Sequence, residues 1–226
     1  MDRDSTRRWI LLAAAPTVAL LLLNGFWLEA AYRRSVGLFW ALDALQFVVA
    51  PALGIWMLVR LGGIPLSRAG IRGFGAGYDM RRVLALFVFV ALVFVATYHG
   101  ARLAAPSAAW LPPSEFGYDQ AIGRAPGLKP VFLVYAAVTA GFVEEVMFRG
   151  LPFLYFVAAE PGRGDVARFV AVSAMLFSAI HWENGLGELV ATLVLGVVVA
   201  VLYSWIRNLW PFIAGHIVTD LVWLWE

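Results

Sequence analysis

The stretch PVFLVYAAVTAGFVEEVMFRGLPFLYF, Pro130–Phe156, decides the fold. A helix needs about 20 residues to cross the hydrocarbon layer, and this apolar run, opened by Pro130 at its first turn, exceeds that. Working outward, Arg, Gly and Pro separate further runs of the same kind at Trp9–Leu28, Val36–Val59, Val83–Ala101, Val166–His181, Leu186–Trp205 and Leu209–Trp225. The expectation is an all-α, polytopic bundle of about seven transmembrane helices. Composition agrees: 62% of the 226 residues are hydrophobic and 14% charged, against roughly 45–50% and about 25% in soluble domains. Residues 1–226 read as one integral membrane domain, with no room for a separate aqueous one. The run after Arg7 and Arg8 reads as an uncleaved first helix, because Leu28-Glu29-Ala30-Ala31 is a poor cleavage site for a signal peptide.

With no cysteine in the chain, disulfides, thiolate metal sites and a cysteine nucleophile are excluded. A net charge of +2, with its basic residues scattered through loops, argues against nucleic acid as a partner and for the lipid bilayer. Placing the N-terminus in the cytoplasm puts Arg3, Arg7, Arg8, Arg60, Arg68, Arg72, Arg81, Arg82, Arg163, Arg168 and Arg207 inside, and only Arg33, Arg34, Arg102, Arg124 and Lys129 outside. The glycine-rich segment Leu61–Met80 is expected as a cytoplasmic loop with an interfacial piece, and Leu103–Leu128 as an outer loop. No repeat of the first half is visible in the second.

Ionisable groups at mid-bilayer cost about 2.5–3.5 kcal/mol on insertion scales and point to function. The first three spans hold Asp43 and His99, whereas the fourth holds Glu144, Glu145 and Arg149, the fifth ends at His181, and the seventh holds His216 and Asp220. Glu145 and Arg149 are four apart on one helix face, in the favourable order for an ion pair. Glu144 lies one step round, free for another neighbour and for proton transfer. Counted at 1.5 Å per residue from the cytoplasmic ends, Glu144 lies roughly 20 Å deep, His181 roughly 22 Å, His216 roughly 10 Å and Asp220 roughly 16 Å. Tilt can bring these levels together in one cavity. His99 reads as an interfacial residue without a role. Asp43, with Gln46 on nearly the same face, reads equally as a cavity group or a helix–helix hydrogen bond and is left out of the site.

Glu144-Glu145-Val146-Met147-Phe148-Arg149, Phe177-Ser178-Ala179-Ile180-His181 and His216-Ile217-Val218-Thr219-Asp220, in this order on successive spans, resemble the EExxxR, FxxxH and HxxxN/D motifs of the CPBP family. That family comprises CAAX prenyl proteases and bacteriocin-processing enzymes and is also called the Abi family. The resemblance covers about 130–225 and includes Leu209-Trp210-Pro211 at the entry to the last helix. It implies an intramembrane endopeptidase of the glutamate type with no obligatory metal or other cofactor. By that resemblance Glu144 is the general base, His181 helps hold the attacking water, Glu145 and Arg149 form the supporting ion pair, and His216 with Asp220 stabilises the oxyanion. An ionised Asp cannot donate a hydrogen bond, so Asp220 serves either protonated or by orienting His216.

Other hydrolase signatures are missing: there is no H-E-x-x-H zinc helix and no G-x-S-x-G elbow. The alternatives are a metal-dependent intramembrane protease using Glu144, His181, His216 and Asp220 as ligands, a transporter, and a non-catalytic membrane scaffold or immunity protein. The implied substrate is a membrane-associated peptide or protein tail, a lipidated or membrane-anchored tail among the candidates. Sixteen arginines against one lysine suit a GC-rich bacterial genome, hence a bacterial cytoplasmic membrane.

Overall fold

The computed structural model describes residues 3–75, 79–105, 118–123, 126–157 and 162–225. Among these residues there is no strand. The helices are α1 (Arg3–Leu22), α2 (Asn24–Arg34), α3 (Val36–Leu61), α4 (Met80–Ala104), α5 (Tyr118–Gly123), α6 (Lys129–Phe156), α7 (Arg163–Ala179), α8 (Gly185–Ile206) and α9 (Trp210–Trp225). This is the expected all-α polytopic bundle. It is inverted relative to a soluble fold: Leu84, Val88 and Leu92, spaced four apart on α4, remain 57%, 58% and 64% exposed, an apolar stripe suited to lipid.

By length and composition four helices among the described residues can cross a bilayer alone, or five if α1 and α2 form one broken span. The expected fifth and seventh crossings are shorter: α7 has 17 residues and α9 has 16. The reason in α7 is that Arg163, Asp165 and Arg168 occupy its opening turns and shorten its apolar part.

The expected first crossing is bent by 59° between Leu22 and Asn24. Trp182 Nε1 donates to the Leu22 carbonyl at 3.0 Å, giving the broken ladder a partner. Gly25 allows this approach, since a Cβ there would lie 2.5 Å from Glu183 Oε2 and 2.8 Å from the Trp182 ring. The other expected spans are continuous, but α3 and α6 contain π-helical turns at Leu45–Val49, Met57–Leu61 and Val146–Gly150. Proline accounts for two of them. Pro51 and Pro152 lack the N–H that an α-helix would direct at Phe47 and Phe148. The Phe148 carbonyl is satisfied instead by the Ser173 hydroxyl of α7.

Of the glycine-rich segment after α3, residues 76–78 lie outside the described residues, and the part before them is tied into the bundle. Ile64 and Ala69 are fully buried, Tyr203 donates to the Ala69 carbonyl at 2.9 Å, and the Leu209 N–H donates to Gly70 at 2.9 Å. Asn208 donates to the Arg72 carbonyl and accepts the Trp210 N–H, capping α9. Of the expected outer loop, residues 106–117 and 124–125 lie outside the described residues. Within it α5 seals one end of the bundle with buried Ala121 and Ile122.

Small residues set the crossings that carry the site. A Cβ on Gly141 of α6 would lie 2.8 Å from Ile217 Cγ1 and 3.3 Å from the Ile213 carbonyl, so α6 and α9 touch through a glycine. Gly215 does the same between α9 and α4, where a Cβ would lie 3.0 Å from the Phe94 ring. We expect Gly141→Ala to lower stability by about 1–3 kcal/mol through overpacking, read as a fall of a few degrees in the thermal transition in detergent. Gly100→Ala, where an added Cβ meets nothing within 4 Å, should leave the transition unchanged or raise it.

Candidate active site

The α6–α9 contact brings the first and third motifs face to face. Glu145 and Arg149 are fully buried, and Glu144 and His216 are each 5% exposed. Glu145 Oε1 lies 3.2 Å from Arg149 Nη1 and 2.8 Å from His216 Nδ1. One carboxylate oxygen thus serves two partners on different helices. The imidazole Nδ1–H donates to Glu145, which turns Nε2 towards Glu144 Oε2 at 3.8 Å and Asp220 Oδ1 at 3.6 Å.

The second motif joins through an aromatic ring. Phe177 on α7 stacks against the Arg149 guanidinium, 3.9 Å from its centroid, where cation–π attraction is strongest in a desolvated setting. The same ring lies 5.0 Å from His181 and 6.0 Å from His216, centroid to centroid. The helix stops just here: Trp182–Asn184 forms a 3-10 turn and Gly185 takes φ 88°, a left-handed value that favours glycine. His181 Nδ1 lies 2.8 Å from the Phe177 carbonyl. A carbonyl only accepts, so Nδ1 carries the proton and Nε2 is the atom left for the cavity.

A cavity of about 380 Å³ is lined by Glu144, His181, His216 and Asp220 together. The four residues singled out by sequence therefore meet in one pocket, with Glu145 and Arg149 immediately behind it. Glu144 Oε2 is buried with no hydrogen-bond partner within the described structure. The arrangement supplies an available carboxylate, an imidazole nitrogen beside it, and a second imidazole on the opposite helix. These are the parts that base-catalysed attack of water on a carbonyl requires. Among the described residues no three His, Asp or Glu side chains are grouped so as to hold a metal ion. Spacing alone allows Asp220 to hold His216 by Nδ1, but Glu145 occupies Nδ1 and Asp220 faces Nε2.

The cavity also contains groups outside the three motifs. Asp43 lines it, accepting from Tyr118 at 2.6 Å and Tyr135 at 2.9 Å. Burial, and next the Asp43 charge, push the Tyr118 hydroxyl well above its ordinary range and keep it a donor. Glu188 on α8 takes a 2.8 Å hydrogen bond from Tyr98 and lies 3.9 Å from Arg102. Its signal is present in the chain, since it is an ionisable residue inside the expected sixth span. Glu183 and Asn184, directly after the histidine, line the same space. His99 packs edge-on against Tyr98 and is absent from the cavity wall.

No curated protein and no solved structure matches the chain. Residues 126–222, which hold all three motifs, match the family model of type II CAAX prenyl endopeptidases, Rce1-like, consistent over that stretch with the resemblance to the CPBP family.

Proposed function

We propose that the protein is a glutamate-type intramembrane endopeptidase, a single membrane domain whose catalytic core is 130–225, acting on a membrane-associated peptide or protein tail. The observation that carries this reading is the meeting of Glu144, His181, His216 and Asp220 around one cavity inside an apolar bundle. The family match over residues 126–222 makes a CAAX-type protease the coarse assignment.

His181 Nε2 helps hold a water beside Glu144, which takes a proton from that water, and the resulting hydroxide adds to the scissile carbonyl carbon. In its protonated form His216 has Nδ1–H on Glu145 and donates Nε2–H to the tetrahedral oxyanion. Glu144 returns its proton to the leaving nitrogen as the C–N bond breaks, which restores both groups. Asp220 shares the oxyanion position in its protonated form. With the N-terminus inside, as the arginine distribution favours, the protein belongs in a bacterial cytoplasmic membrane.

Substitutions at three positions test the roles. Glu144→Gln keeps shape and hydrogen bonding but removes the base; the expected result is a folded protein with processing reduced at least about a hundredfold. The measurement compares membrane and secreted peptides of cells carrying wild type or variant, and unchanged processing by the variant overturns the assignment. Glu145→Ala strips both Arg149 and His216 of their shared anion in a buried site and should cost about 3–5 kcal/mol, measured as loss of folded protein on heating in detergent. Asp220→Asn retains a donor and should keep substantial activity, while Asp220→Leu should not; equal inactivity of the two would remove Asp220 from the oxyanion site.

A further inference from the structure

Four carboxylates on the cavity wall take no part in the reaction above, Glu29, Asp43, Glu183 and Glu188, and two of them, Asp43 and Glu183, have no basic partner among the described residues. Asp43 on α3 is 1% exposed and, among the described residues, accepts from the Tyr118 and Tyr135 hydroxyls. Glu183 accepts from the Asn24 side chain, and its Oε2 has no partner. Asn24 is 8% exposed, and its Oδ1, on the cavity wall, is also a buried acceptor without a donor. Asp43 with its partner Tyr118, and Glu183 with its partner Asn24, all line this one cavity.

Charge matching separates Asp43 and Glu183 from the rest of the wall. Glu29 is paired with Arg33 at 2.6 Å, Glu188 lies beside Arg102 at 3.9 Å, and Glu144 and Asp220 flank His216. Among the described residues no Lys, Arg or His pairs with Asp43 or Glu183. Uncompensated carboxylates in a desolvated wall favour a cation brought from outside, and unpaired acceptors beside them fit an ammonium or guanidinium with several N–H groups.

We infer that Asp43, Glu183 and Asn24 form a specificity subsite for a lysine or arginine side chain of the peptide substrate, an inference that rests on the endopeptidase reading. Glu183 is two residues beyond His181, and an extended substrate advances about 3.3 Å per residue. The basic side chain therefore belongs to a residue within about three positions of the bond that is cut.

The test uses full-length Glu144→Gln protein in detergent, so that bound peptide stays intact. Fluorescence anisotropy compares two labelled octapeptides of Ala, Leu and Val that differ only in a central Lys or norleucine. The Lys peptide should bind at least tenfold more tightly, and adding Asp43→Asn and Glu183→Gln should bring the ratio to within about threefold of unity. Glu183→Gln alone serves if the combined variant does not fold, with the ratio expected to fall at least threefold. Equal binding of the two peptides, or a ratio unmoved by the substitutions, overturns the subsite. Cleavage of both peptides by wild-type protein is then scored separately: a Lys preference in binding without Glu144-dependent cleavage sinks the peptidase reading and leaves the cation site standing.

Discussion

The contact on which the site depends is the double use of one Glu145 oxygen, in an ion pair with Arg149 on its own helix and a hydrogen bond from His216 across the α6–α9 crossing. A guanidinium with no exposure to solvent needs an anion beside it. Once that anion is in place, it also fixes the face that the imidazole presents. Phe177 completes the arrangement by covering the guanidinium from α7 and placing its ring beside both histidines. Three helices are thereby held in a single relative position by one charge cluster, and the adjacent Glu144 is left facing the open space.

Irregular helix geometry delivers these groups. The π-helical turn Val146–Gly150 begins one residue after Glu145 and holds Arg149. Pro152 follows it, and the carbonyl this proline leaves unpaired is bonded by Ser173, one turn before Phe177 on α7. The same device therefore shapes the first motif and anchors the helix that carries the second. The glycines at 141 and 215 let α9 approach both α6 and α4 closely enough for His216 to reach Glu145.

Much of this is legible in the sequence because bilayer physics leaves strong traces. Long apolar runs announce helices, and an ionisable residue within one is conspicuous, so Glu144, Glu145, Arg149, His181, His216 and Asp220 stand out from the chain alone. What stays hidden depends on contacts between distant segments. The bend after Leu22 is held by Trp182, which no local pattern links to it. The shared use of Glu145 by His216 needs two helices at a particular rotation, and periodicity gives only the spacing within one. Asp43 is visible as a polar group but ambiguous, since its tyrosine partners come from α5 and α6. The number of crossings is harder to read than their existence, because the charged opening turns of α7 belong to the helix and leave its apolar part short.

The stretch carrying the three motifs does not enclose the cavity by itself. Leu21, Asn24, Gly25, Leu28, Asp43 and Phe47 supply part of its wall, and Trp182, next to His181, is fastened to the backbone of the first helix. Grafting residues 126–222 onto another membrane anchor would accordingly transplant the reactive groups without their enclosure, leaving them open to lipid on one flank and the histidine turn without its brace. The amino-terminal helices are part of the enclosure, and substitutions in that half would alter what the cavity admits without touching the three motifs.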